Sequence, residues 1–443
     1  MIASDCTCWN EGQVARDAAD VVDEAEVLLR AHFRRAEASQ HAGDYLRGLL
    51  AEVERKNGWQ LAEQAGYAHP RTIQRVLDRY AWDADAVRDD LRRYVIAELG
   101  HPAGILVVDE TGFPKQGKHS AGVARQYSGT LGKVANCQVG VFLGYVSPSG
   151  HVALDRELFI PQEWFTDRER CRTAGIPEEV SHRTKPQLAL TMIERALDGG
   201  VPAAWVTGDE VYGSAGQLRR ALEARGYGQG SVGYVLAVRS NESVTTWPPY
   251  GAPGQTRVGP LTAAIPPEAW HRLSCGEGAQ GPRVYDWAWV PLRPALREGW
   301  VHAVLLRRHP ERPEEVAYYL AYAPAGTLLE ELVRVAGARW SIDDLFKLAK
   351  GQVGLDHYEV RSWHGWYRHI TLALLALTVL TVAAQKKGGL RVRSISQSRS
   401  RRSAGSSSGS FGPPSAPQTT SPPGPAGVVT TRRSRRNATS VAA

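Results

Sequence analysis

Two stretches of this chain share one grammar, and they restrict its fold more than any other feature. Ile105-Leu-Val-Val108 is an unbroken apolar run that ends in Asp109-Glu-Thr-Gly-Phe-Pro114. Ala203-Ala-Trp-Val-Thr207 is a second such run, ending in Gly208-Asp-Glu-Val-Tyr-Gly213. Short apolar runs bounded by Gly and Pro read as strands buried on both faces, which requires helices on both sides of a sheet. The expected class is therefore α/β, a mixed sheet flanked by helices. Each run also delivers an acid to its carboxyl end, where open α/β sheets place the groups that handle ligands. A single acid at a strand end serves equally as a helix cap or turn residue, so neither Asp109 nor Asp209 marks a site by itself.

The rest of the chain divides around these strands. Residues 1–13 read as a loose N-terminus, and residues 14–100 as helical throughout, with helices expected at Val21–Ala31, Tyr45–Lys56, Trp59–Ala65, Pro70–Tyr80 and Asp85–Leu99. Within them, Leu61 to Gly66 followed by His69-Pro-Arg-Thr-Ile-Gln-Arg75 has the shape of a helix-turn-helix with Arg71 and Arg75 on its second helix, although plain bundles contain such pairs too. Residues 101–240 carry both acidic strands. Between them, Lys115, Lys118, Arg125 and Tyr127 lie in a Gly-rich stretch that reads as a flexible basic loop, with Tyr127 able to stack on a base. Gln138–Ser147 and His151–Ile160 read as a strand pair, Pro186–Leu197 and Ala215–Arg225 as helices, and Tyr234–Val238 as a strand.

Residues 241–325 read as a β-rich insertion, with strand-like runs at Arg283–Val290, Trp300–Arg307 and Glu315–Ala323. Residues 326–385 return to helix, with one helix expected over Leu328–Val353 and another over Ile370–Ala384. Between these, Gly354 to His369 is dense in aromatic and cationic groups, among them Arg361 and Trp363, suited either to phosphate contact and stacking or to a packing joint. The apolar run over 370–384 is shorter than the roughly 20 residues a membrane span needs. It reads as a buried core helix.

Within the first of these helices, Arg339-Trp-Ser-Ile-Asp-Asp-Leu-Phe-Lys-Leu-Ala-Lys350 sorts Trp340, Leu345 and Leu348 onto one face and Arg339, Asp343 and Lys350 onto another. This is also the pattern of a solvated face with ion pairs at helical spacing. Asp109, Asp209 and Asp343 are separated by 100 and 134 residues, so only a fold could bring them together. Convergent carboxylates of that kind suit two divalent cations in phosphoryl transfer, with Asp109 shared between the ions. Oxygen donors without Cys or His favour Mg²⁺, with Mn²⁺ as a substitute.

Charge separates the last segment from the others. The chain's net charge is +7, but from Lys386 onward there are eleven Lys and Arg and no Asp or Glu, which leaves −4 for residues 1–385. Any nucleic-acid surface on the folded part must then be a local patch. Residues 386–443, rich in Ser, Pro and Arg, lack periodicity and are expected to be disordered, either holding nucleic acid non-specifically or representing an extension added by a frame change. Five cysteines form no zinc pattern and suit a reducing cytosol. The first residues show no export signal.

Four motifs in order, Val107-Val-Asp-Glu-Thr-Gly-Phe113, Val123-Ala-Arg-Gln-Tyr-Ser-Gly129, Gly208-Asp-Glu-Val-Tyr-Gly213 and Gly354-Leu-Asp-His-Tyr-Glu-Val-Arg-Ser-Trp363, make the chain resemble DDE transposases of the insertion-sequence 701 group. The resemblance covers roughly residues 15–385. It implies an RNase H-like catalytic core and cut-and-paste movement of a DNA element in a bacterial cytoplasm. Its implied partners are the element's inverted-repeat ends and target DNA, bound by a homodimer in the synaptic complex, with no membrane and no cofactor beyond metal. It places Asp109 and Asp209 at the first two catalytic positions. Arg339 and Lys350 match the Arg and Lys of the signature Tyr-x₂-Arg-x₃-Glu-x₆-Lys, which contact DNA near the cleaved end. The chain departs from that signature at Ala336, where Tyr is expected, and at Asp343, where the catalytic Glu is expected. The missing methylene draws the third carboxylate back by about 1.5 Å, a misplacement of the size that costs on the order of a hundredfold in rate. An inactive, DNA-binding relic is the alternative.

Overall fold

The computed structural model describes residues 11–225, 231–246, 254–278, 281–295 and 297–387. The expectations for residues 1–10 and for the tail beyond 387 lie outside the described residues. Five helices come first: α1 (Glu11–Arg30), α2 (Ala36–Leu50), α3 (Gly58–Gln64), α4 (Arg71–Asp78) and α5 (Ala84–Leu99). Their boundaries have local causes. Asn57 accepts the Trp59 and Gln60 N–H groups at the start of α3, and Asp83 does the same for Asp85 at α5. The helix expected over Tyr45–Lys56 instead begins at Ala36 and stops at Leu50. There Ala51 turns extended, and its N–H closes the last turn on Arg47 and Gly48.

One sheet of ten strands follows. Its members are β1 (Gly104–Pro114), β2 (Ala124–Ser128), β3 (Lys133–Ser147), β4 (Gly150–Phe159), β5 (Ala203–Gly208), β6 (Gly233–Val238), β9 (His271–Gly278), β10 (Gly281–Pro294), β11 (Trp300–Arg308) and β12 (Val316–Pro324). The order is β2-β3-β1-β5-β6-β12-β11-β10-β9, with β4 also paired to β3, while β7 (Ser243–Thr246) and β8 (Gly254–Arg257) form a separate pair. β1, β5 and β6 run parallel, and β3 is antiparallel to β1.

One expectation needs correction here. The Gly-rich basic stretch is not an open loop, because Ala124–Ser128 pairs along β3 as strand β2. The strands between residues 271 and 324, within the segment read as a β-rich insertion, join the main sheet: β12 pairs with β6 and carries β11, β10 and β9 onto its edge.

Alternate residues of β1 face opposite sides. Glu110 points towards α7 (Lys185–Asp198), where Lys185 meets it, and Thr111 points towards α12 (Trp340–Val353), where Lys350 meets it. The first side also carries α8 (Glu210–Gly213) and α9 (Gly216–Ala224), while the short α6 (Arg168–Thr173) follows β4 and a one-turn α10 (Val258–Leu261) follows β8. The helix expected over Leu328–Val353 is two, α11 (Leu329–Ala338) and α12, which meet at Arg339. Just before the joint, a Cβ at Gly337 would lie 1.9 Å from the Cys275 carbonyl oxygen, so only Gly lets α11 lie this close to β9.

The last helix, α13 (Trp363–Lys386), is long and apolar enough to cross a membrane by length and composition alone. It is buried nearly all round instead, packed among α1, α2, α4, α5, α12 and β4, which is the use expected of a helix apolar on every side. Polar contacts lock the first helices to this body. The Tyr45 hydroxyl meets His369 Nδ1 at 2.8 Å, and the wholly buried Arg156 of β4 reaches Asp85 of α5 at 2.8 Å.

Candidate acidic site

Val108 of β1 and Gly208 of β5 are register partners in a parallel pair, so the next residues, Asp109 and Asp209, stand side by side; β5 ends at Gly208, but β1 does not end at its acid as the sequence suggests and runs on to Pro114, paired with β3. Gly208 is required at this contact, because a Cβ would press within 2.7 Å of Val108. Asp109 Oδ1 accepts the Glu110 N–H at 2.7 Å, and Asp209 accepts the Val211 N–H at 2.9 Å as the cap of α8. Asp209 is therefore both a helix cap and a member of the acid pair.

The pair is short of positive charge. Burial first, and the Asp209 carboxylate next, push the pKa of Asp109 up to about 8, against the pull of the Glu110 N–H and Arg339. Asp209 is also raised, by burial and then by Glu110. Two inward-held carboxylates that each resist ionisation beside the other form a donor set of hard oxygens, which fits a divalent cation of the Mg²⁺ class.

The third acid stands further off. Arg339, at the joint of α11 and α12, lies 3.7 Å from Asp109 Oδ2 and 3.6 Å from Asp343 Oδ2, so the two carboxylates are joined through its guanidinium. The Asp343 side chain is 56% exposed, against 14% for Asp109. Among the described residues, no three His, Cys, Asp or Glu side chains converge as a group that could hold one ion. The buried face of α12 is Ile342, Leu345, Phe346, Ala349 and Val353. Trp340 and Leu348, expected in that face, are only half-buried, and Trp340 lies between Arg283 and Arg307, whose guanidinium carbons sit 4.4 and 4.9 Å from its ring centre.

Glu110 was not singled out from sequence, yet it anchors the other side of the strand end. Its carboxylate accepts from Lys185 Nζ at 2.6 Å and from the buried Tyr212 hydroxyl at 2.6 Å. Tyr212 follows Asp209 by three residues, a visible hint, but nothing in the sequence links Lys185 to residue 110.

The residues expected to touch DNA fall into two groups. Arg71, Arg75, Lys118, Arg125, Tyr127 and Arg361 are exposed. The others are drawn inward: Lys350 Nζ donates to Thr111 Oγ1 at 2.8 Å, and Trp363 is half-buried against Tyr367 with ring centres 4.7 Å apart. Lys115 lies 3.5 Å from the Tyr358 ring centre and donates to the Tyr358 carbonyl, and burial lowers its pKa to about 8.

Comparison with known proteins bears on this geometry. The profile of a family described as DDE superfamily endonuclease matches residues 28–297, more than half of the chain and including Asp109 and Asp209. A curated protein of Microchaete diplosiphon, named probable transposase for insertion sequence element IS701, is 30% identical over 208 residues. That stretch is 45% of this chain and 49% of the relative, so the chain spans about half the length of the protein it matches.

Proposed function

The chain belongs to the DDE superfamily endonucleases, and on that premise we propose that it is a transposase. It cuts DNA at the ends of a mobile element and joins those ends to target DNA by metal-dependent phosphoryl transfer. The observation that carries this reading is the side-by-side, inward-held pair of Asp109, within β1, and Asp209, just past the carboxyl end of the parallel strand β5. These two carboxylates, with Asp343 as the outer ligand, would hold Mg²⁺, for which Mn²⁺ substitutes. Two such ions, when bound, supply an activated water or hydroxyl for attack and neutralise charge on the leaving oxygen.

The remaining work belongs to the chain's own groups. Glu110, clamped by Lys185 and Tyr212, keeps the end of β1 in register with that of β5. Arg339 passes from the carboxylates to a DNA phosphate beside the cleaved bond, and Lys350 contacts the next phosphate along the strand. The mixed strands β4, β3, β1, β5 and β6 support an RNase H-like core made from residues 101–240 and 326–385. Residues 14–100 then bind DNA, with Arg71 and Arg75 facing outward from the second of two short helices. A homodimer holding two element ends completes the assembly, and excision is of the cut-and-paste kind.

The test is cleavage of a labelled duplex carrying the inverted repeat that flanks the coding sequence. Asp109→Asn and Asp209→Asn are each expected to abolish nicking in Mg²⁺ while leaving the mobility shift of the duplex intact. Nicking that survives either change would remove the metal site from the reading.

A second reading is favoured by one specific observation. Asp343 is a methylene short, half-exposed and tied to Arg339, and among the described residues no third acid joins the pair to form a group that could hold one ion. An impaired enzyme that only binds DNA fits this arrangement. Asp343→Glu separates the two readings. Comparable cutting by parent and variant supports the active enzyme, whereas cutting by the variant alone identifies the parent as silenced.

A further inference from the structure

Strand β2, the tight turn Gly129–Leu131 and the start of β3 form a hairpin that runs beyond the end of β1. The last pair between β1 and β3 is Pro114 with Cys137, whereas β2 pairs with β3 from Cys137 out to Lys133. The hairpin thus extends in the direction in which β1 delivers Asp109. It carries an unusual share of the exposed apolar surface. Of nine large apolar side chains standing exposed among the described residues, three are here: Tyr127, Leu131 and Val134.

Tyr127 and Val134 are register partners and so lie side by side on one face of the ribbon. Leu131 sits in the turn between Gly129 and Gly132, both of which look onto open space. Residues 124–137 also contain the exposed cations Arg125 and Lys133 and no acid.

Single exposed apolar side chains carry no meaning, but a cluster on a projecting, purely cationic ribbon does. A two-stranded ribbon has the width of a DNA groove, its cations meet phosphates, and apolar side chains wedge against sugars or between base steps. A second copy of this chain fits less well, since a self-complementary contact would set these cations against their own copies. We propose that this hairpin is an arm that docks into duplex DNA, about eight base pairs from the phosphate held at the acid pair. The proposal rests on the transposase reading. The spacing follows from register: Phe142 lies opposite Asp109 and Val134 opposite Tyr127, eight residues apart along β3. At ~3.3 Å per residue and ~3.4 Å per base pair, that is roughly 26 Å or eight base pairs.

The full-length protein tests this on a duplex of about 40 base pairs carrying the flanking inverted repeat, between about 50 and 200 mM salt. Two variants are compared with the parent at matched melting temperature: Tyr127→Ser with Leu131→Ser and Val134→Ser, and Arg125→Gln with Lys133→Gln. The apolar variant is expected to lose about tenfold in affinity with its salt slope unchanged. The charge variant should lower the log–log slope by about 1.8. 2-Aminopurine placed about six to ten base pairs from the cleaved phosphate should brighten with the parent and stay dark with the apolar variant.

Parental affinity and parental 2-aminopurine signal in the apolar variant would overturn the proposal while leaving the transposase reading intact. Intact DNA affinity combined with loss of a dimer, read by light scattering, would overturn it in favour of a self-association face. A parent that binds no duplex at all would bring down both readings.

Discussion

Asp109 is the most deeply held acid of the proposed site, and its titration has a consequence that can be measured without DNA. Its pKa is raised from the ordinary carboxylate range near 4 to about 8, so the metal-free folded protein holds a proton that the unfolded chain releases. Stability from this group is complete below the unfolded value and is lost as pH rises towards about 8. In EDTA the melting temperature should therefore fall by on the order of 2–5 °C between pH 5 and 8, and Asp109→Asn should flatten that decline. An unchanged slope in the variant would mean that Asp109 ionises like a surface carboxylate. Metal affinity should rise over the same range, because binding displaces the proton. Asp109 and Asp209 were legible in the sequence only as acids following two buried runs, a placement that a cap or turn explains equally well; their pairing is visible only in the register of β1 and β5. Glu110 was not, because its meaning lies in Lys185, which folding brings from 75 residues away.

At the level of elements, the joint between α11 and α12 decides where Arg339 and Asp343 stand. The spacing over 339–350 correctly marked a helix, but the sequence does not show that α11 lies against β9 with Gly337 at the Cys275 carbonyl, a contact made across the fold. The same holds for β2, whose Gly-rich neighbourhood reads as loop until β3 is beside it. Gly337→Ala would force α11 away from β9 and should cost about 1–3 kcal/mol, as overpacking of a filled site does, with a matching fall in melting temperature. Gly351, in α12, has nothing within 4 Å of an added Cβ. Gly351→Ala should stabilise by about 0.5–1 kcal/mol through helix propensity. Equal effects of the two changes on thermal melting would show that the joint is not tightly packed. A loss of Mn²⁺ binding in Gly337→Ala alone would tie this joint to the position of the acids.

Across the whole molecule, α13 is the element that unites the rest. It touches the first helices and the sheet together, and its buried residues run from Gly365 to Val382. Its end is held by charge, with Lys386 lying 3.2 Å from Glu98 of α5 and 3.7 Å from Glu24 of α1. These partly exposed pairs are each worth at most about 1 kcal/mol, so the apolar contacts carry the stability. Among the described residues, the contacts that hold α13 in place are all made by residues up to Lys387. Truncation there should leave the melting temperature within about 1 °C of the parent and metal-dependent cutting unchanged, while truncation after Ala376 removes the Leu377, Val379 and Val382 contacts and should prevent folding. Truncation after Lys387 also removes nine Lys and Arg and no Asp or Glu. If those cations reach DNA, the salt slope of binding should drop while cleavage at saturating protein stays the same. A fall of more than about 3 °C on truncation after Lys387 would instead mean that later residues pack against the body.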